Sequence, residues 1–287
     1  MSVSNKSIRR GTILDEIMRY QREILPEMMR KVSLEDLRAF ASVAPPTNDF
    51  GAALKSPGVS LIAECKKASP SKGLISPDYN PVELAKAYIE SGVAAISVLT
   101  NSRFFQGTLK DMRDVRELID STPTSRYKGH TAKTKVSILR KDFIFHPYQV
   151  YEARVAGADA ILLIAAVLKG GEIESLGNLA EELNMSVLVE VHSDEELDRV
   201  LASDPSIVGI NNRNLQTFEV DFENTARLRE RIPQNIITVA ESGIRSVEDV
   251  KRMKELNVDA VLVGTFLVRS KDVRAQSRAL VDAGRAR

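Results

Sequence analysis

The sequence lacks the features that mark a secreted, membrane-bound or nucleic-acid-binding protein. Its 287 residues include one cysteine, Cys65, which excludes an internal disulfide and is typical of a reducing compartment. The 40 lysines and arginines balance 39 aspartates and glutamates, and this net charge of +1 argues against nucleic acid or an anionic membrane as the main partner. The longest apolar run, 160–168, is too short to span a bilayer, and no signal-peptide-like segment follows the N-terminal basic residues. We therefore expect a cytoplasmic protein that binds neither a membrane nor nucleic acid.

Histidines and dinucleotide-binding glycines are scarce as well. The three histidines, His130, His146 and His192, show no metal-ligand spacing and belong to no Ser or Cys triad, so no metal site is predicted. We interpret them as surface or supporting residues, and for His192, which follows Glu190 closely, a supporting role is the less favoured of the two. No G-x-G-x-x-G follows an apolar run, which disfavours a dinucleotide-binding sheet.

Short aliphatic runs alternate with segments of helical period along most of the chain. The predicted strands are 59–65, 94–99, 136–139, 160–164, 187–191, 207–210, 236–240 and 260–263. The predicted helices between them are 81–91, 109–119, 148–156, 172–183, 195–201, 224–231 and 247–256. This alternation indicates a parallel sheet, and eight strands are the number that closes a (β/α)8 barrel. The predicted fold class is therefore α/β, a (β/α)8 TIM barrel with an N-terminal helical extension. An open doubly wound sheet is the alternative.

The helical extension precedes the first predicted strand. Residues 1–58 are expected to pack on a single catalytic barrel domain formed by 59–287. Thr12 and Ser33 are predicted to be the N-caps of two helices, because acidic residues follow each of them within one turn. Pro26 predicts a break or kink in the first helix.

Charged and glycine-containing segments stand where the predicted strands end. An acid and two lysines follow the first strand at 64–67, Lys141 follows the third, and Glu190 ends the fifth. The carboxyl ends of parallel strands meet at one mouth of a barrel, where acids and lysines shift one another's pKa values as acid–base catalysis requires. The turns at 241–243 and 264–265 match the usual barrel phosphate site, built from backbone N–H groups. Singly, each charged residue is more simply an ion pair or a solvated end, but together they indicate an active site.

Seven segments resemble the successive motifs of indole-3-glycerol-phosphate synthases. They are AECKKASPSKG, SVLTNSRFFQGTLKDM, ILRKDFIFHPYQVYEARVAGADAILLIAAVL, VLVEVHSDEEL, GINNRNL, VAESGI and LVGTFL. The resemblance extends over 12–270, and the family is a (β/α)8 barrel of tryptophan biosynthesis with an extra N-terminal helical segment. It implies a carbon–carbon lyase that closes the indole ring of 1-(2-carboxyphenylamino)-1-deoxyribulose 5-phosphate with loss of carbon dioxide and water. It implies no metal or organic cofactor and a small phosphorylated substrate as partner. Separately, we expect a monomer or weak homo-oligomer.

The same resemblance implies roles for individual residues. Lys141 is expected to protonate the ribulose carbonyl, and Lys66 to contact the substrate carboxylate and help in dehydration. Glu64 and Glu190 match two active-site glutamates, of which one stabilises positive charge on the anilino nitrogen and the other moves protons; which does which stays open. The expected substrate-binding residues are Ser69, Pro70, Phe105, Phe143, Asn211 and Arg213. The expected phosphate-binding residues are Ser242, Gly243, Gly264 and Thr265.

The chain departs from the family pattern in three places. Asn101 stands where an acidic residue is usual, which changes the charge of that loop. Phe266 follows Thr265 where small or acidic residues are usual, and we expect it to reshape the rim of the phosphate site. The polar loop 121–135 is longer than usual and is interpreted as a surface insertion.

Two alternative functions are considered. A related phosphate-binding barrel enzyme would use Lys141 or Lys66 as a Schiff-base nucleophile. A non-catalytic barrel would be expected to lack the acids and lysines at the mouth, and their presence in this chain counts against that alternative.

Overall fold

The computed structural model describes residues 11–123, 135–214, 217 and 219–285, and it shows a closed barrel of parallel strands surrounded by helices. The strands are β1 (Ser60–Cys65), β2 (Ala68–Ser69), β3 (Gly73–Leu74), β4 (Ala95–Leu99), β5 (Ser137–Lys141), β6 (Ala160–Ile164), β7 (Ser186–Val191), β8 (Ile207–Asn211), β9 (Ile237–Glu241) and β10 (Ala260–Val263). Strands β2 and β3 form a small antiparallel hairpin, and the other eight close the barrel. The predicted barrel and its eight strands are confirmed, whereas the hairpin was not predicted because its strands are two residues long.

Helices cover the outside of the barrel. They are α1 (Ile13–Lys31), α2 (Leu34–Ser42), α3 (Phe50–Leu54), α4 (Pro81–Ser91), α5 (Ser102–Phe105), α6 (Leu109–Ser121), α7 (Pro147–Val155), α8 (Gly170–Glu182), α9 (Asp194–Leu201), α10 (Glu223–Arg229), α11 (Val247–Glu255), α12 (Thr265–Val268) and α13 (Val273–Arg285). All seven helices predicted between strands are present. Helices α3, α5, α12 and α13 were not predicted. The first three have only four or five residues, which carry too little periodicity, whereas α13 has 13 residues and was missed after the last predicted strand. Within the described ranges, no helix is long and apolar enough to cross a membrane.

Side chains of the barrel strands alternate between the barrel interior and the helical layer. The interior is filled by Ile62, Leu139, Leu162, Leu188, Val239 and Leu262, together with Phe50 and Leu54 of α3, which pack at the N-terminal end of the barrel. Cys65 faces the other way and is fully buried between the barrel and its helices, as the strand alternation predicts. The interior residues thus fill the barrel below the mouth and leave only its C-terminal end open to ligands.

Of the break or kink predicted at Pro26, the break is wrong, because helix α1 is not interrupted there. The helix runs from Ile13 to Lys31 with the proline inside it. The turn after Pro26 is fixed from outside, since the Tyr148 hydroxyl lies 3.0 Å from the Met28 carbonyl and 3.1 Å from the Val32 carbonyl. Packing against α7 therefore outweighs the loss of one backbone hydrogen bond. The predicted N-caps at Thr12 and Ser33 are confirmed.

The predicted surface loop at 121–135 falls mostly on 124–134, which lie outside the described residues, as does His130. Helix α6 ends at Ser121, two residues beyond its predicted end at Ile119.

Candidate active site

A cavity of about 570 Å³ opens at the C-terminal ends of the barrel strands. Every residue that the sequence places in the site lines this cavity: Glu64, Lys66, Lys141 and Glu190 of the acid–base group, Ser69, Pro70, Phe105, Phe143, Asn211 and Arg213 of the substrate group, and Ser242, Gly243, Gly264 and Thr265 of the phosphate group. The barrel topology brings these distant segments to one mouth, as expected for a parallel barrel.

Four ionisable side chains form a layer at the mouth. Glu64, Lys141, Glu190 and Glu241 come from β1, β5, β7 and β9, which are alternate strands around the barrel. Alternate strands contribute to the same layer of side chains inside a TIM barrel. Glu64 and Glu190 lie on opposite strands of the barrel, and so do Lys141 and Glu241. The top layer of the barrel interior therefore consists of acids and a lysine, whereas the layers below it are apolar.

Lys141 is the shared cation of this layer. Its Nζ lies 2.8 Å from Glu190 Oε2 and 3.2 Å from Glu241 Oε2. Burial alone would lower the pKa of Lys141, but Glu190, Glu241 and Glu64 outweigh it and raise the pKa above its ordinary value. Lys141 is consequently protonated at neutral pH and can act as a proton donor at the mouth of the barrel.

The environments of Glu190 and Glu241 push their pKa values in opposite directions. Burial opposes the charge of Glu190, yet the cations Lys141 and His192 outweigh it and hold its pKa well below the usual range. Asn211 Nδ2 also donates to Glu190 Oε1 at 3.1 Å. Burial raises the pKa of Glu241 to about 8, and its Oε1 has no hydrogen-bond partner among the described residues. One carboxylate at the mouth is thus ionised at neutral pH while the other is largely protonated.

Glu241 was not among the predicted site residues. The sequence places 241–243 at the mouth, but only for its glycine-containing turn. Its position at the end of a predicted strand, like that of Glu190, was the sequence feature that could have identified it as a site residue. Its contact with Lys141 depends on how far strands β5 and β9 are staggered across the barrel, and the sequence pattern does not give that stagger.

Glu241 makes stability depend on pH in a measurable way. Its pKa is about 8 in the folded protein and 4.5 ordinarily. Its stabilising contribution is therefore complete below pH 4.5 and is lost as the pH rises toward 8, because the unfolded chain releases this proton first. We expect the free energy of unfolding, measured by urea denaturation, to fall more steeply over this range for the wild type than for Glu241→Gln. Parallel curves would contradict a protonated Glu241.

Glu64 lies in a space created by Gly264. Lys66 Nζ is 2.5 Å from Glu64 Oε2, and both side chains are mostly buried. A Cβ at position 264 would overlap the Glu64 carboxylate. Gly264 is therefore required at the mouth for a reason that the phosphate hypothesis did not include, namely to leave room for an acid on the neighbouring strand β1.

Replacing Gly264 by alanine should displace the Glu64 carboxylate. We expect kcat to fall by about tenfold or more, since small displacements of catalytic groups cost rates of this order. Gly177→Ala is the matched control, because nothing lies within 4 Å of a Cβ at that position of α8. Steady-state kinetics on both variants measure the effect, and equal kcat values would show that Glu64 has room to move.

Aromatic rings form one wall of the cavity. The Phe105 and Phe143 rings lie with centroids 6.2 Å apart at 36°, and Pro70 lines the same cavity. Asn101 is buried and caps α5, which carries Phe105, by accepting the Phe104 N–H at 3.0 Å. The departure at Asn101 therefore retains the capping oxygen that an aspartate would supply and removes only its charge.

Two turns and several cations form the opposite wall. Ser242 and Gly243 have φ values of 65° and 94°, and a Cβ at Gly243 would overlap Val220 and Phe222. Gly243 is thus required by the turn itself. Arg245 and Arg269, which were not predicted, line the cavity near these turns. Phe266 lines it as well, so this departure from the family pattern borders the cavity as expected.

The N-terminal extension contributes directly to the site. Ile13, Leu14 and Ile17 of α1 line the cavity. Farther along the helix, Gln21 Nε2 donates to Asp142 Oδ1 at 2.9 Å, next to Lys141. Helix α1 therefore borders the cavity and fixes the end of β5, beyond the simple packing on the barrel that the sequence predicts.

His192 lies beside Glu190, contrary to the surface position that the sequence favours. Its Nε2 is 3.2 Å from Glu190 Oε1. His146 instead caps α7, where its ring accepts the Tyr148 N–H at 3.2 Å. Across the described residues, no group of three or more His, Cys, Asp or Glu is arranged to hold a metal ion.

Comparison with known proteins identifies the family. A sequence model described as Indole-3-glycerol phosphate synthase matches residues 14–280. The chain belongs to the indole-3-glycerol phosphate synthase family. The indole-3-glycerol phosphate synthase of Dehalococcoides mccartyi is 45% identical over 261 residues, covering 90% of this chain and 96% of that protein. The one from Mycolicibacterium gilvum is 44% identical over 274 residues, covering 96% and 95%.

Solved structures add the fold alone. Thiamine phosphate pyrophosphorylase from Pyrococcus furiosus matches with a TM-score of 0.57 and 18% identity, covering 82% of this chain and 97% of that one.

The indole-3-glycerol phosphate synthase family consists of carboxy-lyases of tryptophan biosynthesis that act on a phosphorylated small molecule. The predicted family, fold and enzyme class are therefore confirmed.

Proposed function

We propose that this chain converts 1-(2-carboxyphenylamino)-1-deoxyribulose 5-phosphate to indole-3-glycerol phosphate by ring closure, decarboxylation and dehydration. The observation that carries the proposal is the position of Lys141, whose Nζ lies 2.8 Å from Glu190 and 3.2 Å from Glu241 at the mouth of the cavity. The aromatic wall suits the carboxyphenyl ring, and the opposite wall, with its two turns and its arginines, suits the phosphate.

Ring closure is assigned to Lys141. The aryl carbon attacks the ribulose carbonyl carbon, and the carbonyl oxygen takes a proton from Lys141 Nζ. Attack interrupts the aromaticity of the ring, so the reaction needs a donor close to the developing oxyanion and a ring held in position. Lys66 is assigned to the substrate carboxylate that leaves as carbon dioxide.

The two glutamates are assigned different steps. Glu190 is ionised and held by Lys141 and Asn211, which suits stabilisation of the positive charge on the anilino nitrogen during condensation. Glu64 forms a close pair with Lys66 at 2.5 Å, which suits proton transfer during dehydration. Asn211 and Arg213 orient the substrate, with Ser69 and Pro70 closing the cavity from the hairpin side.

The phosphate is assigned to the main chain around Ser242, Gly243, Gly264 and Thr265. Backbone N–H groups in such turns bind anions without a particular side chain. Burial and the nearby Arg245 lower the pKa of Arg213, while Glu64 opposes them, so two guanidinium groups lie close together on this side. We expect inorganic phosphate to compete with the substrate. If phosphate does not compete, the assignment of these turns to the phosphate is wrong.

The reaction is tested by supplying the ribulotide and following the absorbance of the indole product. The same mixture, treated with borohydride, separates ring closure from Schiff-base chemistry, since only an imine is trapped as a stable adduct. The raised pKa of Lys141 counts against Lys141 as a Schiff-base nucleophile, because an amine must be neutral to attack a carbonyl.

We further propose a cytoplasmic location and a monomer or weak homo-oligomer with no nucleic-acid partner. The balanced charge and the single buried cysteine support this. We retain 1–58 as the helical extension and 59–287 as the catalytic barrel. Size-exclusion chromatography with light scattering tests the oligomeric state.

A further inference from the structure

A second cation stands behind Glu190. His192 is not among the residues that line the cavity, yet its Nε2 lies 3.2 Å from Glu190 Oε1. The other carboxylate oxygen, Oε2, accepts a hydrogen bond from Lys141 Nζ at 2.8 Å. The Glu190 side chain is 2% exposed, so water contributes little to its solvation. Glu190 is therefore placed between one cation at the cavity and another on the opposite side.

Glu196 holds the imidazole from the far side. Glu196 Oε2 lies 3.2 Å from His192 Nδ1, and it also accepts a hydrogen bond from the backbone N–H of His192 at 2.7 Å. Glu196 is itself fixed in the first turn of α9, where Ser193 caps its N–H. Burial opposes a charge on the ring, but Glu190 and Glu196 outweigh it and raise the pKa of His192 to about 9. His192 is thus a cation at neutral pH.

Glu241 is a partial comparison for Glu190, because the two acids share Lys141 but differ in their other partners. Both carboxylates are 2% exposed and both contact Lys141. Of these two acids, in the described structure, Glu190 alone contacts a histidine, and its pKa lies well below the usual range. The pKa of Glu241 rises to about 8 instead. Contact with Lys141 does not by itself keep the pKa of Glu241 low, whereas Glu190 also has His192 and the Asn211 amide as partners.

We propose that His192, held by Glu196, is a positioning residue that keeps the Glu190 carboxylate charged and turned toward Lys141, so that the Lys141 proton goes to the substrate and not to Glu190. This inference rests on the proposed function. During ring closure the N–H bond of Lys141 breaks, and the π electrons of the carbonyl form the new O–H bond. Glu190 then loses its cation at Oε2. The charged groups that face His192 in the described structure are Glu190 of β7 and Glu196 of α9, and His192 keeps both of its protons throughout.

The kinetic test is His192→Gln, which retains a polar side chain but removes the charge. We expect kcat to fall about tenfold, with KM changed less than about twofold because His192 does not line the cavity. Loss of the cation raises the pKa of Glu190, so the acidic limb of the kcat–pH profile should move up by about one pH unit. His146→Gln, the same substitution at the histidine that caps α7, should leave both unchanged. A wild-type kcat and an unmoved acidic limb in His192→Gln would overturn the proposal.

A second measurement does not require turnover. The histidine rings of the isotope-labelled protein can be titrated by NMR, with the His192 signal assigned by its absence from His192→Gln. We expect a midpoint near 9, against an ordinary value of 6.5, and a lower midpoint in Glu196→Gln. A midpoint at or below 6.5 would overturn the proposal even if the enzyme proves active. Conversely, a high midpoint in a protein that makes no indole would contradict the proposed function and leave the charge arrangement intact.

Discussion

Replacing Lys141 by methionine is expected to lower kcat by about 10²-fold or more, the scale on which general acid catalysis is lost. Methionine keeps an unbranched apolar stem of similar length, but it carries no proton and leaves Glu190 and Glu241 without their shared cation. KM should change much less, because the aromatic wall and the phosphate turns are untouched. Steady-state kinetics with the ribulotide give both constants.

The matched control is Lys67→Met. Lys67 follows Lys66 directly but is not among the residues that line the cavity, so its loss should leave kcat within about twofold of the wild type. Melting temperatures establish that both variants are folded. A folded Lys141→Met variant with near-normal kcat would remove Lys141 from the role of proton donor.

Glu190→Gln and Glu64→Gln are each expected to lower turnover by about 10²-fold, but at different steps. Loss of the Glu190 charge should slow condensation, which precedes decarboxylation, so carbon dioxide and indole should be delayed together. Loss of the Glu64 proton relay should slow dehydration, which follows decarboxylation. In that variant, carbon dioxide should appear ahead of indole. Rapid-quench single-turnover experiments that quantify both products measure the order.

The different partners of the two acids are the reason to expect this difference. Glu190 is ionised and held by Lys141 and Asn211, whereas Glu64 is paired with Lys66. Identical delays of carbon dioxide and indole in both variants would mean that the two acids only position the substrate, and the division of roles would be wrong.

The barrel could be predicted because its signals are local. Each strand is a short aliphatic run, and each helix between strands has an apolar stripe of helical period. Helix ends and very short elements were less accessible, because α5 and α12 have four residues each. Of the break or kink predicted at Pro26, the break is absent for a non-local reason, since packing on Tyr148 holds the turn that follows the proline.

The location of the site was also predictable, because the carboxyl ends of all eight strands necessarily meet. What sequence could not give is which side chains touch across the mouth. The contact of Glu241 with Lys141 and the overlap that excludes a Cβ at Gly264 both depend on the relative stagger of strands. The position of His192 depends on the first turn of α9, which brings Glu196 back onto its ring.

The most direct test of ring closure by a proton from Lys141 is the ratio of the two products, indole-3-glycerol phosphate and carbon dioxide. Purified wild-type protein, supplied with 1-(2-carboxyphenylamino)-1-deoxyribulose 5-phosphate and no added metal or cofactor, is expected to form indole-3-glycerol phosphate and carbon dioxide in equal amounts. The same mixture with Lys141→Met should form both at least about 10²-fold more slowly. Carbon dioxide without indole, a borohydride-trapped lysine adduct in the wild type, or no consumption of the ribulotide would contradict ring closure by a proton from Lys141.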